Sequence, residues 1–194
     1  GQRVLIAWSN DGIRWSEPET LVQPPEGIYG SCVAAGFHVN GNTLAAYYTQ
    51  THDYPTHNLH HPKNALYAVT TTDGENWSEP KMIASGFFIE GPRRLSDGRL
   101  LLGGEHAGEI WKSHQARMRL LYSDSPTGLG GWKEAGIDPA AAEPKGLKVF
   151  GYTEPCPFLR HDGVMVSPFR NQSGSFYASV SHDDGATWSV PEKT

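Results

Sequence analysis

A short turn motif recurs four times along the 194-residue chain and limits the folds that the chain can adopt. Each copy combines Ser or Thr, Asp, Gly and a final Trp, and is here called a box. Three boxes align directly, at residues 9–15, 71–77 and 181–188, and a degenerate fourth runs from Ser123 to Trp132. The final tryptophans recur every 55–62 residues or so. A repeat of this length indicates one supersecondary unit used several times.

Three hairpin signals alternate with the boxes. Asn40-Gly41, Asp97-Gly98 and Asp162-Gly163 each lie between two apolar runs, as tight β-turns do. A third apolar run precedes each box. The repeated unit is therefore strand A, hairpin, strand B, a variable loop, strand C, box and strand D. Such a unit predicts an all-β fold, a β-propeller of four-stranded antiparallel blades.

The repeat also predicts where blades begin and end. We expect the end of one blade at residues 1–24 and further blades at 25–85, 86–137 and 138–194. The first and last segments look incomplete, and an open stack of blades would leave bare sheet edges. We therefore expect the remaining blades of the propeller to lie outside this segment.

The box residues have a structural explanation. The Ser or Thr hydroxyl and the Asp carboxylate can accept hydrogen bonds from backbone N–H groups of the turn. The Gly adopts a backbone conformation that other residues avoid. The Trp side chain offers a large apolar surface to neighbouring sheets. We therefore predict that Trp15, Trp77, Trp132 and Trp188 are mostly buried, and we expect no catalytic role for the box aspartates.

Composition excludes several classes of partner. The net charge is −5 and no basic run occurs, which disfavours nucleic acid and anionic membranes. No apolar stretch is as long as a membrane span. Cys32 and Cys156 have no metal-like spacing and are interpreted as buried free thiols. We expect neither a metal nor a cofactor.

Candidate site residues follow from counting along the inner strands. Tyr48, Glu105 and Arg170 each lie seven residues after a hairpin glycine. Glu90 and Glu154 lie eight and nine residues before the second and third of these glycines. All five should line one end of a central channel, beneath the loop at 50–62, with the boxes on the opposite rim. Charges at such depth are costly unless paired or functional. The alternatives are an internal salt bridge, such as Glu154 with Arg170, or a binding site.

The box at 181–188 resembles the Asp-box repeat of sialidases. Thr153-Glu154-Pro155, Asp162-Gly163, Arg170 and this box also follow the order of one sialidase blade. The resemblance implies a six-bladed, exo-acting glycoside hydrolase that releases a terminal acidic sugar without a cofactor. It implies that Glu154 activates a catalytic Tyr and that Arg170 binds the substrate carboxylate.

The same resemblance implies that several catalytic parts lie elsewhere. An acid/base Asp, the nucleophilic Tyr and two further arginines belong to blades outside this segment. By the same resemblance, we expect an extracellular or periplasmic protein with a glycan substrate.

The histidine-rich loop at 50–62 leaves other functions open. Four histidines occur there, including His52 and His57, but their spacing matches no zinc motif. A substrate-binding or general-base His instead points to polysaccharide lyases or glycosidases on propeller scaffolds that act on uronate-containing glycans. The third possibility is a non-catalytic carbohydrate-binding propeller.

Overall fold

The computed structural model describes residues 1–52, 61–108, 118–137, 152–171 and 173–194. Within these ranges the chain forms β-strands and no helix, so none that is long and apolar enough to cross a membrane. The strands are β1 (Val4–Ile6), β2 (Glu19–Val22), β3 (Cys32–Asn40), β4 (Thr43–Gln50), β5 (Ala65–Thr71), β6 (Lys81–Ser85), β7 (Arg93–Arg94), β8 (Leu100–Glu105), β9 (Met118–Ser123), β10 (Lys133–Glu134), β11 (Gly136–Ile137), β12 (Phe158–Leu159), β13 (Met165–Phe169), β14 (Tyr177–Ser181), β15 (Thr187–Trp188) and β16 (Glu192–Lys193).

Most strands form four antiparallel sheets. Sheet 1 pairs β1 with β2, sheet 2 has the order β3-β4-β5-β6, and sheet 3 has the order β7-β8-β9-β10. Sheet 4 has the order β12-β13-β14-β16. The predicted all-β class and the four-stranded antiparallel unit are confirmed. The division into blades at 1–24, 25–85, 86–137 and 138–194 stays a prediction.

One strand pair departs from the expected antiparallel pattern. β11 and β15 pair in parallel, Gly136 with Thr187 and Ile137 with Trp188. β11 belongs to the connection that leaves sheet 3, and β15 is the end of the box in sheet 4. The pair therefore joins two neighbouring sheets rather than two strands of one sheet, so the antiparallel rule for hairpin-connected strands does not apply to it.

Three apolar clusters hold successive sheets together. Val4 and Val22 of sheet 1 pack with Tyr48 and Val69 of sheet 2. The second cluster joins sheets 2 and 3, with Tyr47, Leu66, Ala84, Leu102 and Leu121 among its members. The third joins sheets 3 and 4, with Leu101, Leu120, Met165 and Phe169 among its members. Because β4 and β8 are covered on both faces, they read as nearly continuous apolar runs.

The box tryptophans show how each sheet covers the one before it. Trp77 packs in the cluster with sheet 1, Trp132 in the cluster with sheet 2, and Trp188 in the cluster with sheet 3. Trp188 is only 4% exposed, but Trp15 is 62% exposed, so the prediction of a buried Trp15 is wrong. The other three box tryptophans pack against the preceding sheet, and no sheet precedes sheet 1 in the described residues.

The box turns are closed by local hydrogen bonds. In the first box the Ser9 hydroxyl accepts the Gly12 N–H at 2.8 Å, and Asp11 Oδ1 accepts the N–H groups of residues 13 and 14. Thr71 and Asp73 make the same bonds in the second box. These bonds stabilise the ionised carboxylates and lower the pKa of Asp11, where the largest contribution comes from the Arg14 N–H.

Candidate functional site

The register of sheet 4 separates its box from Glu154. Met165, the first residue of β13 after the hairpin, pairs with Ser181. The box at 181–188 therefore lies at the hairpin end of this sheet. Thr153 bridges to Arg170 just beyond the other end of β13. Glu154 and Asp183 therefore lie at opposite ends of a five-residue strand, roughly 17 Å long at the usual rise.

Glu154 and Arg170 form a two-pronged ion pair. Arg170 Nε donates to Glu154 Oε2 at 2.5 Å, and Nη2 donates to Oε1 at 2.7 Å. These hydrogen bonds hold the pKa of the Glu154 carboxyl below its usual value, so Glu154 is ionised at neutral pH. The side chain of Arg170 is 57% exposed and that of Glu154 37%. A charged fork of this kind, open to solvent, can exchange its carboxylate partner for that of a ligand.

The backbone of Glu154 is held in an unfavourable conformation. Its φ angle is +54°, in the left-handed region that side chains seldom occupy. Two backbone bonds between Thr153 and Arg170, at 2.9 and 3.0 Å, fix the residue before it. On the other side, the Glu154 N–H donates to Oε1 of Glu105 at 3.2 Å. Glu105 is only 5% exposed, so a buried carboxylate from sheet 3 supports the strained residue of sheet 4.

The three predicted glutamates surround one small cavity. Glu90, Glu105 and Glu154 line a space of about 230 Å³, whose apolar wall includes Phe87 and Ile89. Two glycines of β8 make room for the close approach of its neighbours. A side chain at Gly103 would meet the Pro155 carbonyl at 2.3 Å, and one at Gly104 would meet the Phe88 ring at 2.2 Å. The Gly-Gly-Glu end of β8 therefore shapes this cavity, here called the acidic cavity.

A second arginine stands beside the acidic cavity. Arg93 Nη2 donates to Glu90 Oε2 at 2.8 Å, and its Nε donates to the same oxygen at 3.2 Å. Arg93 Nη2 also contacts the Cys156 Sγ at 3.3 Å. Sequence reasoning found Glu90 but missed Arg93. The signal was its position three residues after Glu90, within a Pro-Arg-Arg sequence that opens strand A of its sheet.

The two cysteines are free thiols, as expected. Cys32 is buried, whereas Cys156 is only half-buried. Burial raises the pKa of the Cys156 thiol, although the Arg93 guanidinium acts in the opposite direction. Cys156 is therefore a neutral partner of Arg93 at neutral pH.

Tyr48 does not join the acidic cavity, so its grouping with the glutamates is wrong. The hairpin Asn40–Thr43 has a two-residue loop, because these two residues pair directly. The other two hairpins have three-residue loops, closed by Leu95 with Arg99 and by Arg160 with Val164. Gly41 is the first of its two loop residues, whereas Gly98 and Gly163 are the last of three, so counting from the glycines is one residue out in sheet 2. A one-residue error moves a side chain to the opposite face of a strand.

Thr49, not Tyr48, is the equivalent of Glu105 and Arg170. The Thr49 hydroxyl donates to the Phe88 carbonyl at 2.7 Å and accepts the Phe88 N–H at 3.0 Å. Glu105 accepts the Glu154 N–H in the same way. Phe88 and Glu154 each directly follow the residue that bridges to the end of strand B. The same type of side-chain-to-backbone contact therefore joins sheet 2 to sheet 3 and sheet 3 to sheet 4.

Tyr48 and His52 line a different and larger cavity. It has a volume of about 610 Å³ and shares no lining residue with the acidic cavity. Burial raises the pKa of the Tyr48 hydroxyl, which therefore stays protonated. His57, the remaining predicted site residue, lies outside the described residues.

The described histidines do not assemble a metal centre. The rings of His52 and His61 stack with centroids 5.5 Å apart. Among the residues that the structure describes, no group of three or more His, Cys, Asp or Glu side chains could hold a metal ion.

Comparison with known proteins gives one family and several similar folds. A family model described as a BNR repeat-like domain matches residues 2–194. No curated protein matches the chain significantly. The Trypanosoma rangeli sialidase, solved with sialic acid, has a TM-score of 0.69 at 16% identity, over 97% of this chain and 32% of that one.

Two further solved structures share the fold. The intramolecular trans-sialidase of Ruminococcus gnavus, solved with oseltamivir carboxylate, has a TM-score of 0.68 at 13% identity, over 99% of this chain and 64% of that one. An ulvan lyase, described as a new family of polysaccharide lyase, has a TM-score of 0.52 at 16% identity, over 86% of this chain and 39% of that one. The chain thus spans between about a third and two thirds of the length of these proteins.

Proposed function

The chain belongs to the family of BNR repeat-like domains and has a sialidase-like fold, and on that premise we propose that it is part of an exo-acting glycoside hydrolase. The enzyme releases a terminal acidic sugar of the sialic acid type from a glycan. The observation that carries the proposal is the solvent-facing pair of Glu154 and Arg170 at the edge of the acidic cavity.

Stability alone gives a weak reason for this pair. An ion pair between side chains that are 57% and 37% exposed contributes about 0–1 kcal/mol to stability. Glu154 also has a positive φ, which costs of order 1–3 kcal/mol. A strained backbone that holds an exposed carboxylate is more typical of a functional site than of a structural bridge. Function explains both features together.

The two charged groups suit different tasks. The Arg170 guanidinium presents parallel N–H groups that match the two oxygens of a substrate carboxylate. Glu154 is ionised at neutral pH, so it can accept a proton but not donate one. We assign carboxylate binding to Arg170 and the activation of a nucleophile to Glu154. Glu90 lines the space next to them and is assigned to contacts with sugar hydroxyls. The buried Glu105 is assigned to holding the Glu154 backbone in place.

The remaining catalytic groups belong to other parts of the protein in this proposal. A tyrosine would give its proton to Glu154 and attack the anomeric carbon while the glycosidic bond breaks and the leaving oxygen takes a proton from the acid/base group. Water then hydrolyses the glycosyl-enzyme. That tyrosine, an acid/base aspartate and further arginines would come from blades outside these 194 residues. They would complete a six-bladed propeller, in an extracellular or periplasmic protein.

A second candidate is a lyase or glycosidase for uronate-containing glycans. The stacked pair of His52 and His61 supports it, because a neutral imidazole can remove the proton next to a uronate carboxylate. The ulvan lyase with a similar fold also supports it. A non-catalytic, carbohydrate-binding protein is the third candidate.

A substrate panel separates the three candidates. The protein containing this chain is assayed with fluorogenic sialic acid and uronic acid glycosides, and with a uronate polysaccharide whose cleavage is followed by the absorbance of the unsaturated product. Hydrolysis of the sialic acid glycoside supports the proposal. Activity on uronates alone supports the second candidate. Silence in all assays, with glycan binding retained, contradicts both enzymatic assignments.

A further inference from the structure

The larger cavity lies between sheets 1 and 2, away from the Glu154–Arg170 pair. Its volume of about 610 Å³ is in the range of sites that enclose small ligands. Sheet 1 and the connection that follows it supply Val22, Gln23, Pro25 and Ile28. Sheet 2 and the segments that adjoin its strands supply Tyr48, Gln50, His52, Lys63, Tyr67 and Pro80.

The wall of this cavity suits one face of a sugar ring. Tyr48 and Tyr67 are cross-strand partners whose rings stack with centroids 5.8 Å apart. Together with Val22, Ile28 and Pro80 they form an apolar surface. Gln50 and His52 stand beside it, with their side-chain nitrogens 3.5 Å apart, and can hydrogen-bond hydroxyl groups. Aromatic surface with a few polar groups beside it is typical of small-molecule sites, and this arrangement matches the apolar C–H face and the hydroxyl groups of a sugar ring.

The charge of the cavity is the opposite of that of the acidic cavity. Among the described residues that line the larger cavity, Lys63 is the one with a permanently charged side chain. In the described part of the chain, its ammonium group has no carboxylate partner within ion-pair distance. Three glutamates line the acidic cavity instead. A ligand of the larger cavity is therefore expected to carry a negative charge.

The alternation of β4 keeps the two cavities apart. Tyr48 and Gln50 point towards sheet 1 and line the larger cavity. Thr49 points the other way and is bonded to Phe88 of the next unit. From these observations we infer that the larger cavity is a second saccharide site. It binds a sugar unit that carries a carboxylate, separately from the unit that is cleaved.

The inference goes beyond the proposed hydrolase, because the site binds a sugar whether or not a bond is cleaved. Uronic acids and sialic acids are two kinds of sugar that carry a carboxylate on a pyranose ring. Binding is therefore measured by NMR titration with trigalacturonic acid, with its methyl ester, and with a sialylated trisaccharide. The ester keeps the ring but lacks the charge. Comparison of the two acids identifies which kind of sugar the site accepts.

The expected result is a charge-dependent preference. The wild-type protein should bind one of the acids about fivefold more tightly than the ester at low salt, which is the size of a partly screened charge contact. Lys63→Gln should remove this preference. Lys133→Gln, which changes an exposed lysine bonded to Asp124 of the fourth box, should leave this preference intact. Tyr67→Ala should weaken all three ligands.

One further variant separates this site from the catalytic one. Arg170→Ala should retain the Lys63-dependent binding even if it abolishes hydrolysis. Loss of all saccharide binding in Arg170→Ala would overturn the inference, because the ligand would then occupy the acidic cavity. Equal binding of acid and ester, or no effect of Lys63→Gln, would also overturn it. None of these three results decides whether the protein is a hydrolase.

Discussion

The box aspartates bond to their own turns, whereas polar side chains at the Glu154 end of the sheets bond across the fold. Asp11 and Asp73 accept hydrogen bonds from the N–H groups two and three residues later in the chain. Glu105 accepts an N–H group 49 residues away, and Thr49 one that is 39 residues away. A turn that satisfies itself is a structural unit. A cluster assembled from distant segments, with a strained residue at its centre, is a candidate for chemistry.

The largest difference should appear between two box tryptophans. Trp188 is buried against sheet 3, so Trp188→Ala should lower the free energy of unfolding by about 3–5 kcal/mol. Trp15 has no preceding sheet in the described residues and is 62% exposed, so in the 194-residue chain by itself Trp15→Ala should change the free energy of unfolding by less than about 0.5 kcal/mol. Denaturant unfolding measures both. Similar effects of the two substitutions would break the account of sheet-on-sheet burial.

At the other end, substitutions should affect activity more than stability. Arg170→Ala should reduce kcat/KM about 30- to 100-fold, the loss of a charged hydrogen-bonded contact worth about 2–3 kcal/mol. KM should rise, because the carboxylate is bound in the ground state too. Arg170→Lys should recover only part, since an ammonium group lacks the two-pronged geometry. Full recovery with Lys would show that charge alone suffices at this position.

The buried Glu105 should act through Glu154. Removal of its carboxylate leaves the Glu154 N–H without this acceptor, so Glu105→Ala should lower kcat about tenfold, equivalent to about 1.4 kcal/mol. Glu105→Gln retains an acceptor oxygen and should restore most of the activity. The melting temperature is measured on the same samples. A loss of stability with an unchanged kcat of the folded fraction would mean that Glu105 only supports the fold.

The smallest expected effect is a pH dependence at the box end. The hydrogen bond from the Asn76 side chain is the largest cause of the lowered pKa of Asp73. A lowered folded-state pKa adds stability above the unfolded value of about 3.9, and this stability is lost as the pH falls through the folded-state value. Asp73→Asn should therefore lower the melting temperature at neutral pH, and the difference should shrink in acid. A constant difference down to pH about 2 would contradict this assignment.

The repeat alone was enough to predict the fold class and the strand order within a unit. Box, hairpin and apolar runs are local signals, and each depends on residues only a few positions apart. The burial of Trp15 could not be read from its box, because burial depends on the sheet in front of it. The parallel pair of β11 and β15 also joins distant segments, and no local pattern announces it.

The candidate site was only partly predictable, for a geometric reason. Glu105 and Arg170 were found because the glycine is the last loop residue in both of their hairpins. Tyr48 was misplaced because Gly41 is the first of two loop residues, which moves Thr49 into the equivalent position. Counting from the hairpin glycines selected Glu90 but not its ion-pair partner Arg93. The contact between Glu105 and the Glu154 backbone could not be predicted, since it depends on how two sheets pack.

The most direct test of the account is a paired measurement on Glu154→Gln. The account predicts that kcat on the fluorogenic acidic glycoside falls at least about 100-fold, equivalent to about 3 kcal/mol, because the neutral amide cannot accept the nucleophile's proton. The melting temperature of the same sample should change little, because the pair with Arg170 is exposed to solvent. A variant with a clearly lower melting temperature and an unchanged kcat would contradict the account and show that Glu154 and Arg170 form a structural salt bridge.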